Sequence, residues 1–177
     1  NLTQFVRELT PYLHEQNLVV SIDVTIRGGS EMWSLFADRA ALGQTVDYMM
    51  VMTYDEHWAA SPVAGSVASL PWTEAGIVDI MREDKVPAHK LILGVPYYTR
   101  IWSEEFIDNK KKTTSKAVSM EAVDKILKEK KLIPVFDVAT GQDYVEYIEG
   151  KVTKKIWIEN EKSMKARMEI VKKYDLA

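Results

Sequence analysis

The sequence predicts an α/β protein: part of a (β/α)8 barrel of the TIM type, carrying a small α+β insertion. Helical and strand-like apolar patterns alternate as far as residue 100. The strand-like runs are apolar on both faces, as parallel strands between helix layers are. Beyond residue 100 the rhythm gives way to short alternating runs punctuated by glycine, the pattern of hairpins.

In chain order, Leu2, Phe5, Val6, Leu9 and Leu13 fall at helical spacing with one wet face. Leu18 to Val24 is a short β-branched run and reads as a buried strand. Gly28-Gly29-Ser30 breaks it, and Ser30 followed by Glu31 to Leu42 reads as a capped helix. Val46 to Tyr54 is the second strand, with Met49, Met50 and Met52 as packing residues. Asp55 to Leu70 reads as a loop, and Pro71-Trp72 opens a helix to about Glu83, where proline suits the first turn. Lys90 to Pro96 is the third strand.

A Lys110 to Lys112 run, read as a solvated loop able to touch an anionic polymer, leads into a helix over Ser119 to Lys131. Strands follow at Ile133 to Val138, Tyr144 to Ile148 and Val152 to Ile158, turned at Thr140-Gly141 and Glu149-Gly150. Glu161 to Tyr174 returns to amphipathic helix. Three parallel strands alone would leave two long apolar edges unpaired, which folded proteins avoid. They are therefore expected to be consecutive middle units of a larger barrel. Residues 1–100 are its partial barrel, 101–157 the insertion, and 158–177 the return to a barrel helix.

Composition narrows the function. Of 177 residues, 46% are hydrophobic and 28% charged, an ordinary globular balance. The net charge of -3 offers no basic surface for nucleic acid. No apolar run approaches the ~20 residues that span a bilayer, so membrane insertion is not expected. The absence of cysteine removes disulfides and thiolate chemistry. Three scattered histidines, His14, His57 and His89, show no metal-ligand spacing, so neither a metal nor a cofactor is expected.

Barrels of this type build their sites at the carboxyl ends of the strands. Here those ends carry Ser21 and Asp23; Thr53, Tyr54, Asp55, Glu56 and His57; and Tyr97, Tyr98 and Arg100. Aromatic faces beside carboxylates and a guanidinium suit sugar rings, whose C–H faces stack while their hydroxyls take hydrogen bonds. The plainer reading, wet strand ends with aromatics filling the mouth, stays open on these residues alone.

The motifs add a resemblance. Val51-Met52-Thr53-Tyr54-Asp55 resembles the Met-x-Tyr-Asp motif on the sixth strand of the chitinase-like glycoside hydrolases of family 18. Gly94-Val95-Pro96-Tyr97-Tyr98-Thr99-Arg100 resembles the same family's seventh-strand signature, and an α+β insertion after it is also a family feature. The three strands would then be about strands 5–7. Met52 to Trp58 and Lys155 to Asn160 look most similar to the bacterial spore-cortex and germination branch.

The resemblance implies a retaining hydrolysis in which the substrate's own N-acetyl group is the nucleophile, an exception to the two-carboxylate scheme. It implies a general-acid glutamate in an Asp-x-x-Asp-x-Asp-x-Glu motif, which this sequence does not contain and which is expected before Asn1. It assigns catalytic roles to Tyr54, which would hold the acetamido oxygen, and to Asp55, which would bind the same sugar. Met52, Tyr98, Arg100 and Trp58 would bind substrate, although Arg100 could equally serve only as an ion-pair partner. Trp72 reads as core more readily than as a sugar platform.

The implied partner is an N-acetylglucosamine polysaccharide, peptidoglycan or chitin, and the implied location is secreted, on a cell wall or spore. A chitinase-like lectin, which binds the same sugars without cleaving them, is the competing reading. Chain-length preference and oligomeric state are not legible.

Overall fold

The computed structural model describes residues 1–28 and 31–177. The expected Ser30 cap, and Gly29 beside it, lie outside the described residues. The chain divides into two compact units, residues 1–53, 73–94 and 169–177, and residues 54–72 and 95–168.

The first unit is built on a parallel sheet in the order β1-β2-β3, with β1 at Ser21–Thr25, β2 at Tyr48–Met52 and β3 at Leu91–Gly94. Val24 pairs with Val51 and Val51 with Leu93. Helix α1, Leu2–Glu15, is capped by the Asn1 side chain, which accepts from the Thr3 N–H at 3.0 Å. Met49, Val51 and Leu91 are fully buried, as are Leu42, Ile77 and Ile80 on the neighbouring helices. The sheet is covered on one face only. Tyr48 and Met50, on the opposite face of β2 from Met49 and Val51, are exposed. The outer edge of β3 is met by the Ala177 N–H, which donates to the Leu91 carbonyl at 2.9 Å.

The helix expected over Glu31 to Leu42 is not continuous. One π-helical turn occupies Glu31–Leu35, and helix α2 runs over Arg39–Thr45. Asp38 is the reason: its carboxylate accepts from the Ala41 N–H at 3.0 Å, starting a new helix where the older one would have continued.

Asp47 ties α1 to the start of the sheet. Its carboxylate accepts from the Val20 N–H at 2.7 Å and meets His14 Nε2 at 2.9 Å. The backbone donor first, and His14 second, hold the Asp47 carboxyl below its ordinary value. A depressed folded-state pKa contributes stability above the unfolded value that is lost as pH falls through the folded one. Asp47→Asn is therefore expected to flatten the acid limb of the stability curve below about pH 5, with little change at pH 7 in its slope. Urea titrations at stepped pH check this.

The second unit is built on an antiparallel sheet in the order β5-β4-β8-β7-β6. Strands β4, Tyr98–Ile107, and β5, Lys110–Ser119, form a long hairpin. Asp108 and Asn109 turn it with φ of 50° and 58°, a type I′ geometry that these two residue types tolerate. The lysine run is thus strand rather than loop. Lys111 pairs with Glu104 at 2.6 Å, and exposed lysines blunt an edge strand that could otherwise recruit another chain. Tyr98 to Arg100 open β4.

Strands β6, Val135–Asp137, β7, Gln142–Glu149, and β8, Val152–Ile158, follow with glycine turns at Gly141 and Gly150, both at positive φ. Helix α4, Met120–Lys130, lays Val123 and Leu127 on one face of the sheet, against Val145, Ile156 and Ile158. Residues of 54–72 lie on the other face, over Trp102, whose indole N–H donates to the Gly65 carbonyl at 2.8 Å. Helix α3, Leu70–Glu83, and helix α5, Glu161–Tyr174, complete the α-helices among the described residues. No helix among the described residues is long and apolar enough to cross a membrane.

Candidate active site

The residues after β2 are held in an unusual path. Asp55 takes φ of 65°, a left-handed conformation that costs most side chains about 1–2 kcal/mol and that aspartate accepts more readily. That turn sets its carboxylate against the start of β4. The Tyr98 hydroxyl donates to Asp55 Oδ1 at 2.6 Å, and Arg100 Nη2 approaches the same oxygen at 3.5 Å. Alternation along β4 puts Tyr98 and Arg100 on one face, and the guanidinium carbon lies 5.9 Å from the Tyr98 ring centroid.

Burial, then the hydrogen bond to Asp55, pushes the Tyr98 hydroxyl above its ordinary value. Tyr98 is therefore a protonated donor at any physiological pH. Arg100 is only 11% exposed, with a weak 3.4 Å contact to the Ser115 hydroxyl, and its Nε has no partner among the described residues. The cluster combines one carboxylate, one locked donor and a guanidinium with donor capacity to spare. It can grip a neutral polar ligand through several hydrogen bonds at once.

Tyr54 is half-buried beside this cluster, and its hydroxyl makes no hydrogen bond among the described residues. Trp58 is 56% exposed on a tight turn, its N–H donating to the Ser61 hydroxyl at 2.9 Å. Met52 ends β2 in the first unit, half-buried. Of the six residues singled out from sequence, the structure joins Asp55, Tyr98 and Arg100 by direct contacts. Trp72 is half-buried.

Glu56 and His57 are engaged by the loop that follows them. Both Glu56 carboxylate oxygens are taken by Ser69, from its N–H at 2.7 Å and its hydroxyl at 3.0 Å. His57 Nδ1 lies 2.8 Å from the Ser66 carbonyl, and its ring meets Trp102 edge-on. Gly65 rests directly on that ring, where an added Cβ would come within 2.3 Å. Among the described residues no group of three His, Cys, Asp or Glu is placed to hold a metal ion.

Sequence reasoning passed over the buried polar cluster beneath this segment. Glu159 and Arg167, both fully buried, form a two-pronged ion pair at 2.8 Å on each prong. Ser163 and Gln142 each donate to the same carboxylate at 2.8 Å. The available signals were a glutamate closing the apolar run Ile156-Trp157-Ile158 and an arginine set between Met164 and Met168 on one helix.

The sequence pattern of the glycosyl hydrolases family 18 matches residues 1–177. The chain belongs to this family. Among its relatives, the uncharacterised Bacillus subtilis glycosylase YvbX is 28% identical over 99% of this chain and 50% of its own length. YdhD of the same organism, named as a candidate sporulation-specific glycosylase, is 29% identical over 98% of this chain and 40% of its own length. The crystal structure of YdhD superposes with a TM-score of 0.85, covering 99% of this chain and 57% of that one. The C-terminal domain of a chitinase candidate from Desulfitobacterium hafniense superposes with a TM-score of 0.86 at 25% identity, over 99% of this chain and 52% of that one.

This family 18 chain thus spans about half the length of the curated relatives it matches. Its fold class, α/β, agrees with these structural neighbours.

Proposed function

We propose that the intact protein hydrolyses β-1,4 bonds beside N-acetylglucosamine in peptidoglycan or chitin, with retention, using the substrate's acetamido group as nucleophile. In this reading β1, β2 and β3 are consecutive strands of a (β/α)8 barrel, about its fifth to seventh, and the antiparallel sheet is the insertion after the seventh. The open face of β2, with Met50, would then be barrel interior. The general acid would come from sequence preceding Asn1, since no Asp-x-x-Asp-x-Asp-x-Glu occurs in the chain.

The observation that carries the reading is the Tyr98–Asp55–Arg100 cluster directly after Tyr54, in a family 18 chain. Tyr54, with an uncommitted hydroxyl, would donate to the acetamido oxygen and hold it under the anomeric carbon. Asp55, its charge shared with Tyr98 and Arg100, would accept from the acetamido N–H or a ring hydroxyl. Pre-organised donors of this kind act by fixing an attack geometry that free solution rarely visits. Arg100, Trp58 and Met52 would contact neighbouring sugar. A secreted protein on a cell wall or spore fits this chemistry.

Hydrolysis of a chromogenic chitobioside by the intact protein and its Tyr54→Phe variant tests this. The variant is expected to lose about 10²-fold in kcat with KM little changed, the signature of an interaction made mainly in the transition state. Binding without turnover in both proteins would instead identify a sugar-binding protein that does not cleave.

A further inference from the structure

The segment Gly65 to Ser69 forms a strap that the site described above does not account for. On its outer side it pairs with the residues following Asp55. The Val67 carbonyl accepts from the Glu56 N–H at 2.8 Å, and the Ser66 carbonyl accepts from the His57 N–H at 3.2 Å. Ser69 donates twice to the Glu56 carboxylate. On its inner side the strap is rooted in the buried cluster. The Ser66 hydroxyl donates to Gln142 Oε1 and accepts from the Ala68 N–H at 3.0 Å, while Arg167 Nη2 donates to the Ala68 carbonyl. Gln142 in turn donates to Glu159 at 2.8 Å.

Ser66, Gln142, Glu159, Ser163 and Arg167 are each 0–1% exposed. Buried hydrogen bonds of this kind are directional and costly to leave unmade, so the network admits one arrangement. The polarity is also determined. Gln142 must offer its oxygen to Ser66 and its amide to Glu159, a pair of roles that no carboxylate could fill.

We propose that Gln142, Glu159 and Arg167 are positioning residues: through Ser66 and Ala68 they hold the strap against Glu56 and His57, and so fix Asp55 in the left-handed conformation that meets Tyr98 and Arg100. None of the three touches the Asp55 cluster. They act on it from strand β7, the residue that follows β8, and helix α5, all far from it in sequence. The part of the proposal that concerns catalysis rests on the hydrolase reading.

Two variants, Gln142→Met and Ser66→Ala, cut the Ser66–Gln142 link at either end while leaving the Glu159–Arg167 pair and the Arg167–Ala68 contact in place. Amide hydrogen exchange on this chain is expected to accelerate about tenfold at Glu56, His57 and Ser69, the loss of one net buried hydrogen bond, with Val145 and Ile156 of the sheet unchanged. Unchanged exchange at those three amides in both variants would overturn the proposal. In the intact protein, kcat on the chromogenic chitobioside is expected to fall about tenfold with KM within about twofold. Faster exchange with unaltered kcat would show that the strap does not position Asp55. Should the unsubstituted protein show no turnover, the hydrolase reading fails, and the exchange experiment still decides whether the network holds the strap.

Discussion

Arg167→Met is expected to cost about 3–5 kcal/mol of folding stability, far more than a surface substitution. The change removes both prongs of the pair with Glu159, and the donor that satisfies the Ala68 carbonyl. It leaves a carboxylate at 1% exposure with only Ser163 and Gln142 as donors. Burial already raises the Glu159 carboxyl above its ordinary value, with Arg167 the main group pulling it back. Without Arg167 it rises further.

A raised folded-state pKa works in the direction opposite to that of Asp47. Its contribution is full below the unfolded value and lost as pH rises through the folded one. The Arg167→Met defect should therefore be worst at neutral pH and partly relieved on acidification. Adding Glu159→Gln should recover a sizeable share at pH 7, because the uncompensated charge is gone. Urea denaturation of the single and double variants at two pH values measures this. Equal losses at both pH values would mean that packing rather than charge sets the cost.

Asp55→Ala is expected to lower kcat of the intact protein by about 10²–10³-fold, in the range seen when a pre-organised site loses a key electrostatic group. Three effects combine. The Tyr98 hydroxyl loses its acceptor, Arg100 loses its nearby charge, and the left-handed conformation at φ of 65° becomes a strained one for the new residue. Asp55→Asn separates them. Asparagine tolerates the same conformation and still offers an oxygen to Tyr98, so only the charge is lost and the fall should be smaller. Steady-state kinetics of both variants, alongside their circular dichroism, distinguishes site damage from unfolding. Equal kcat for the alanine variant and the unsubstituted protein would remove Asp55 from the mechanism.

Several parts of the site were legible as local patterns. The strand ends at Thr53 to Asp55 and Tyr97 to Arg100 stood out because aromatic, carboxylate and guanidinium groups follow apolar runs. The hairpin of β4 and β5 did not, because its turn is Asp-Asn without glycine and its second strand begins with three lysines. An edge strand can be that polar because solvent covers it, and no pattern of buried alternation remains to read. Asp38 and Asp47 were likewise passed over, since a capping carboxylate and an exposed one look alike in sequence.

By itself, the sequence determined what neighbouring residues decide together: most helices and strands, the glycine turns at Gly141 and Gly150, the α/β class, and the membership that Met52 to Asp55 and Gly94 to Arg100 announce. Only the tertiary structure decided which polar groups are paired. Ser66 meets Gln142 across 76 positions, and Arg167 reaches the Ala68 carbonyl across 99. Apolar burial is recorded in each residue's own type and spacing. A buried charge is tolerated only through a partner, and the distance along the chain to that partner is set by the fold.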